Sequence, residues 1–180
     1  MYGLINKAVE GLVRTRFGDA AWDRIRTRAG LPNEPFISME QYPDKTTYDL
    51  VGAASAELGA PAEKVLEEFG EFWTVYAAEG AYGDLMNHVG ATLPEFLRNL
   101  DTMHARIKLT FPELVPPGFR VTQETSNSLV LLYFSKRAGL SPLVIGMMRG
   151  LGRRFGVAVQ VQSVGAGDSG ATDVFHVSWS

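Results

Sequence analysis

The sequence predicts an α+β protein with an N-terminal helical lobe and a C-terminal lobe built on a four-stranded antiparallel sheet. Two observations carry this. Apolar residues recur at helical spacing from the N-terminus to Phe111, and after Pro116-Pro117-Gly118 the period drops to the alternation of strands. The 180 residues suit one domain with two sub-lobes, a helical one at about 1–60 and a second at about 61–180.

The elements follow in order. Ile5, Ala8, Val9, Leu12 and Val13 share one face of a helix near Gly3–Phe17. A second helix near Asp19–Ala29 turns Trp22 and Ile25 inward and takes Gly30 as its C-cap. The segment Pro32–Pro43 reads as loop. A third helix near Lys45–Leu58 stops at Gly59, and Pro61 opens a fourth. The inward set of that fourth helix is Val65, Leu66, Phe69, Phe72, Trp73 and Tyr76, a strongly aromatic stripe. A short helix spans Tyr82–His88. Thr92–Phe111 reads as a single helix, with Thr92 and Glu95 as a capping box and Pro94 in the first turn. Strands are expected at Phe119–Glu124 and Ser128–Phe134, a helix at Ser141–Phe155, then strands at Val157–Val164 and Val174–Trp179 with a Gly/Asp/Ser loop between them.

Composition excludes several classes. Hydrophobic content of 46% and charged content of 21% belong to a globular chain, not a disordered one. A net charge of -3 argues against nucleic acid as partner, and Arg149, Arg153 and Arg154 suit a solvated helix face. With no Cys there is no disulfide, thiolate nucleophile, iron–sulfur cluster or Cys-ligated metal, which suits a cytoplasmic location. The N-terminus lacks a basic n-region, and no apolar run is long enough to span a bilayer. No motif of a zinc site, a dinucleotide fold or a serine hydrolase is present.

Two groups of residues carry chemistry. On the Thr92–Phe111 helix, Leu97, Leu100, Ile107 and Phe111 trace one face, and His104 belongs to it. Such a histidine is either a core residue satisfied by a carbonyl or a metal or haem-iron ligand facing an apolar cavity. His88 and His176 read as solvent-facing. The second group is Tyr133, Ser135 and Arg137, which share a side if the strand ending at Phe134 continues extended. A phenol, a hydroxyl and a guanidinium in a row make a receptor for carboxylates; the alternative is a strand end with a solvated arginine.

In this order and spacing, His104, Pro116-Pro117-x-Phe119, the Tyr133-x-Ser135-x-Arg137 string, the opening MYGLINKA and the run GLSPLVIGMMRGLGRRFG resemble the haem nitric oxide/oxygen-binding (H-NOX) family. That family includes the haem domain of soluble guanylate cyclase, and the likeness is closest to stand-alone cyanobacterial-type members. The resemblance covers essentially the whole chain and implies a haem b (iron protoporphyrin IX) held between the lobes. It makes His104 the axial iron ligand, Tyr133, Ser135 and Arg137 the propionate clamp, and Pro117 the residue pressing on the porphyrin. It places Ile5, Trp73, Leu143 and Met147 around the distal pocket. It implies a non-enzymatic sensor of nitric oxide and carbon monoxide that excludes oxygen and signals in trans to a sensor histidine kinase or a cyclic-dinucleotide enzyme, without nucleic acid or membrane insertion. Oxygen-binding relatives carry a distal tyrosine where this chain has Leu143 or Pro142; Trp73 and Tyr76 are the remaining donors, in an apolar stripe. The rival readings are an oxygen sensor on the same scaffold and a haem-free module that binds an apolar carboxylic acid through Arg137.

Overall fold

The computed structural model describes residues 1–80, 82–166 and 170–180. Eight helices and four strands follow in order among them: α1 (Gly3–Phe17), α2 (Asp19–Arg28), α3 (Asp44–Leu58), α4 (Ala62–Glu79), α5 (Gly83–Asn87), α6 (Leu93–Arg98), α7 (Leu100–Thr110), β1 (Gly118–Thr122), β2 (Ser128–Phe134), α8 (Ser141–Phe155), β3 (Val159–Ser163) and β4 (Asp173–Trp179). The strands form one antiparallel sheet in the order β1-β2-β4-β3. The fold is therefore α+β, as the sequence predicts. Part of the Gly/Asp/Ser loop expected before the last strand lies outside the described residues. No helix among those described is long and apolar enough to cross a membrane.

Alternation along the strands decides which side of the sheet is buried. Leu129, Leu131 and Tyr133 of β2 point inward with Phe119, Phe175 and Val177, and α6 and α8 close over them with Phe96, Leu97, Val144, Met148 and Leu151. His176 on the other side is exposed. A second apolar cluster joins α1, α2 and α3 through Val9, Leu12, Trp22, Ile25 and Leu50, with Phe69 of α4 as its lid. Trp73 packs against both clusters.

The two clusters are joined where α4 crosses α8, and glycine makes the crossing close. A Cβ on Gly146 would overlap the carbonyl oxygen of Glu67, and one on Gly70 would overlap that of Leu143. A Cβ on Gly150 would meet the Thr74 hydroxyl. Outside this seam, Arg149 pairs with Glu67 and Arg153 with Glu71, each at 2.7 Å. The arginines expected on a solvated helix face thus tie two helices together.

Two expectations need correction. The helix expected over Thr92–Phe111 is two helices, α6 and α7, parted at Asn99, whose φ of -96° and ψ of 2° leave the helical region. The Asn99 amide donates to the Val89 carbonyl at 2.7 Å, so its side chain bonds outside the helix instead of solvating along it. The capping box is present but shifted: Thr92 Oγ1 accepts from Glu95 N at 3.4 Å, while Glu95 Oε2 accepts from Ala91 N at 2.9 Å. The first strand stops at Thr122 and not Glu124, because Gln123 sits at φ +50° and turns the chain away from the ladder.

The seam is testable by adding single methyl groups. Gly146→Ala should destabilise the protein by about 1–3 kcal/mol, because its methyl group meets rigid backbone. Gly52→Ala, inside α3 with open space around it, should be stabilising by about 0.5–1 kcal/mol. Urea unfolding of the two variants checks both signs.

Candidate functional site

His104 rides on α7, a short helix with an unusual inner face. Of its residues, all of them described, Leu100 alone is fully buried. Met103, His104 and Ile107, which share the inward stripe, are half-buried. The inner face of the helix thus keeps part of its surface open to solvent. The His104 Nδ1 atom is buried and has no hydrogen-bond partner of ordinary geometry, although the Pro117 backbone lies close to the ring. Burial pushes the imidazole below its ordinary 6.5, against the opposing influence of the Asp101 charge and the Pro117 backbone. At neutral pH the ring is uncharged and holds a lone pair, the form that binds a metal. Among the described residues no three His, Asp or Glu converge on one point. A lone imidazole suits an ion that arrives with its other ligands already attached.

Asp101, one turn before His104, stitches α7 to the sheet. Its Oδ1 accepts from Phe119 N at 2.8 Å, just after Pro116-Pro117. The Phe119 ring lies 6.1 Å from the His104 ring, tilted by 40°. Nothing in the sequence marks Asp101 for this bond.

Tyr133, Ser135 and Arg137 come together, but not by strand alternation. The strand β2 ends at Phe134, and the turn gathers the rest: Ser135 Oγ accepts from Arg137 N at 3.0 Å. The Tyr133 phenol is raised in pKa, by burial first and by Asp173, against lowering influences from Ser135 and Arg137. Arg137 donates through Nε and Nη2 to the two Asp44 oxygens at 2.8 and 3.3 Å, and through Nη1 to the Val115 carbonyl at 2.8 Å. A guanidinium carries five N–H groups, so about two remain for a further carboxylate. Asp44 also receives the N-terminal ammonium at 2.7 Å. Nothing in the sequence pairs Asp44 with Arg137; only the fold brings them together.

A cavity of about 430 Å³ opens beside α4, lined by Leu4, Trp73, Tyr76, Tyr82 and Phe111, with Met39 at its edge. Of the residues expected around the distal pocket, Trp73 lines it and Ile5, Leu143 and Met147 do not. Ile5 and Leu143 pack against the helical cluster and Met147 against the sheet cluster. The close α4–α8 crossing turns the first half of α8 into packing surface. The cavity reaches Phe111 at the end of α7 but is not lined by His104 or Pro117. Trp73 and Tyr76 are stacked at 6.2 Å, and Phe72 and Tyr76 at 5.8 Å. His88 and His176 are exposed, and His88 Nδ1 lies 2.6 Å from the Asp84 carbonyl.

A neutral imidazole on α7 and a cationic fork at Arg137, neither of them lining the cavity beside α4, are donors suited to a metal-bearing apolar group with acidic substituents. A haem fits that donor set, because its iron takes an imidazole and its charged groups are two carboxylates. The family model for haem-NO-binding proteins matches residues 2–163, and the chain belongs to that family. It is 31% identical to soluble guanylate cyclase gcy-35 of Caenorhabditis elegans over 158 residues, 86% of this chain and 23% of that protein. The chain spans less than a quarter of the length of such cyclases. The matched segment is the family's sensing module; the cyclase activity those relatives are named for belongs to other parts of their chains. Solved H-NOX structures share the fold. One from S. oneidensis, in the Fe(II) ligation state, superposes with a TM-score of 0.89 at 20% identity, over 100% of this chain and 96% of that one. One from K. algicida, Fe(II) and unliganded, gives 0.86 at 22% identity, over 100% and 97%.

The Asp44 bridge sets a pH dependence. Burial raises its pKa, but hydrogen bonds and charge from the N-terminal ammonium and Arg137 outweigh this and hold the carboxyl below its ordinary 3.8. The folded protein therefore releases this proton more readily than the unfolded chain. The stabilisation is complete above the unfolded value and is lost as pH falls through the folded one. Asp44→Asn should lower the urea midpoint at neutral pH and flatten its decline in the acid limb below about pH 4.

Proposed function

We propose that the protein is a haem-based sensor of nitric oxide and carbon monoxide that excludes dioxygen and signals to a separate enzyme. The observation that carries this is His104: a neutral imidazole, its buried Nδ1 without a hydrogen-bond partner of ordinary geometry and close to the Pro117 backbone, on the half-exposed inner face of α7. The group is a haem b, since a Cys-free chain offers no thioether attachment. His104 holds its iron, and Tyr133, Ser135 and Arg137 hold its propionates. Pro117, beside the His104 ring, presses on the same side. Once bound, the haem would supply a ferrous iron able to take a diatomic gas.

The chain's own residues account for the response. His104 is the tie between the iron and α7, while Asp101 ties α7 to β1. A change in pull on His104 is therefore delivered to a short helix anchored at its other side, a two-state element that a partner can read. A sensor histidine kinase or a cyclic-dinucleotide enzyme in the cytoplasm is the kind of partner proposed.

An oxygen-binding reading is favoured by one observation: Trp73 and Tyr76, both with polar hydrogens, line the cavity. Trp73 stacks on Tyr76 and Tyr76 on Phe72, so these rings are engaged in packing, and this supports the first reading.

The purified protein should show a haem absorption band. His104→Gly should lose haem unless imidazole is supplied, whereas His88→Ala and His176→Ala should keep the spectrum; haem retained unchanged in the His104 variant would overturn the ligand assignment. Exposed to air, the ferrous protein should not acquire a persistent oxygen-bound spectrum. Such a spectrum that Trp73→Phe or Tyr76→Phe abolishes would establish the oxygen-sensor reading instead.

A further inference from the structure

Tyr48 lies on α3 one turn beyond Asp44, so the two side chains share a helix face. Its phenol donates to the Ala138 carbonyl at 2.9 Å. Ala138 follows Arg137 directly, and Gly139 after it has φ +75°. This short turn carries the chain from β2 into α8. Asp44 grips the guanidinium of Arg137 from the side-chain end. The root of the side chain is held on one side, where the Arg137 amide donates to Ser135 Oγ. The Tyr48 bond holds the other side, at the carbonyl of the residue that follows Arg137. Tyr48 also lies in the field of the clamp: burial raises its pKa first, Asp44 raises it further, Arg137 lowers it and Tyr133 raises it.

We propose that Tyr48 is a positioning residue for the carboxylate clamp: with Asp44 it braces Arg137 at both ends from one face of α3. The proposal rests on the haem-clamp reading of Tyr133, Ser135 and Arg137. A fork held in place before its ligand arrives loses less conformational entropy on binding, so it binds more tightly and releases more slowly. The brace also explains why α3, which belongs to the helical cluster, shapes a site carried by the sheet lobe. Neither the spacing of residues in the sequence nor the Tyr133-x-Ser135-x-Arg137 string points to Tyr48.

The test uses Tyr48→Phe, which keeps the ring and removes the hydroxyl, with Lys45→Ala on the same helix as control. Three readouts are taken. The first is the rate of haem loss to an excess of a haem scavenger. The second is the propionate bending vibration in the resonance Raman spectrum of the loaded protein. The third is amide hydrogen exchange over residues 138–143 in the haem-free protein. Tyr48→Phe should speed haem loss about fivefold, the scale set by the net worth of one hydrogen bond. It should also shift the propionate vibration and raise exchange over 138–143, while Lys45→Ala changes none of these. Faster exchange with unaltered haem loss and vibration would make Tyr48 a structural pin and overturn its role in the clamp. No change in any readout would overturn it too. A wild-type protein that takes up no haem would fail the underlying reading, and that result is visible before any variant is made.

Discussion

The close crossing of α4 and α8 is the constraint on which the rest of the molecule depends. Two apolar clusters, one all-helical and one on the inner side of the sheet, would otherwise touch through mobile side chains. Gly70, Gly146 and Gly150 let backbone meet backbone, so the lobes are set against each other at van der Waals distance. The same crossing decides what α8 can offer a ligand. Leu143 and Met147 pack, partly buried, against the two clusters, and Trp73, on the α4 side, also lines the cavity.

Against that fixed frame, α7 is weakly held. One buried leucine anchors its start, Asp101 ties it to β1, and its inward stripe is half-exposed. Breaking the longer helix at Asn99 separates α7 from α6, which is firmly seated through Phe96 and Leu97. The histidine thus stands on a lightly anchored helix beside a close-packed core, the arrangement on which the proposed response relies. The clamp sits on the opposite kind of ground. Arg137 is bound to Asp44, to the Val115 carbonyl and, through its own peptide nitrogen, to Ser135. The site thus joins a firmly held set of donors to a helix free to respond.

Much of this was legible in the sequence, for local reasons. Apolar periodicity located the helices, because each must bury one stripe. The switch to alternation after Pro116-Pro117 located the sheet. The boundaries of α1, β2 and α8 follow directly from their residues. His104 stood out because a polar group in an apolar stripe needs a reason, and Arg137 because a string of donors needs an acceptor. Where the reading failed, the cause was a side chain that bonds to backbone outside the regular pattern. Asn99 broke a helix by bonding to Val89, and the chain after Phe134 turns instead of running on extended, with Ser135 Oγ accepting from the Arg137 amide.

By itself, then, the sequence determined the α+β class, the positions of most elements, and the candidates His104, Tyr133, Ser135 and Arg137, since each depends on neighbours within a turn or a strand. Only the tertiary structure decided that Asp44 stands against Arg137 and Tyr48 against Ala138, that Asp101 ties α7 to β1, and that α4 and α8 cross at glycines. These depend on how α3, α4 and α8 lie against one another. That arrangement is fixed by backbone contact at glycines, and a glycine in a sequence carries no mark of what it will touch.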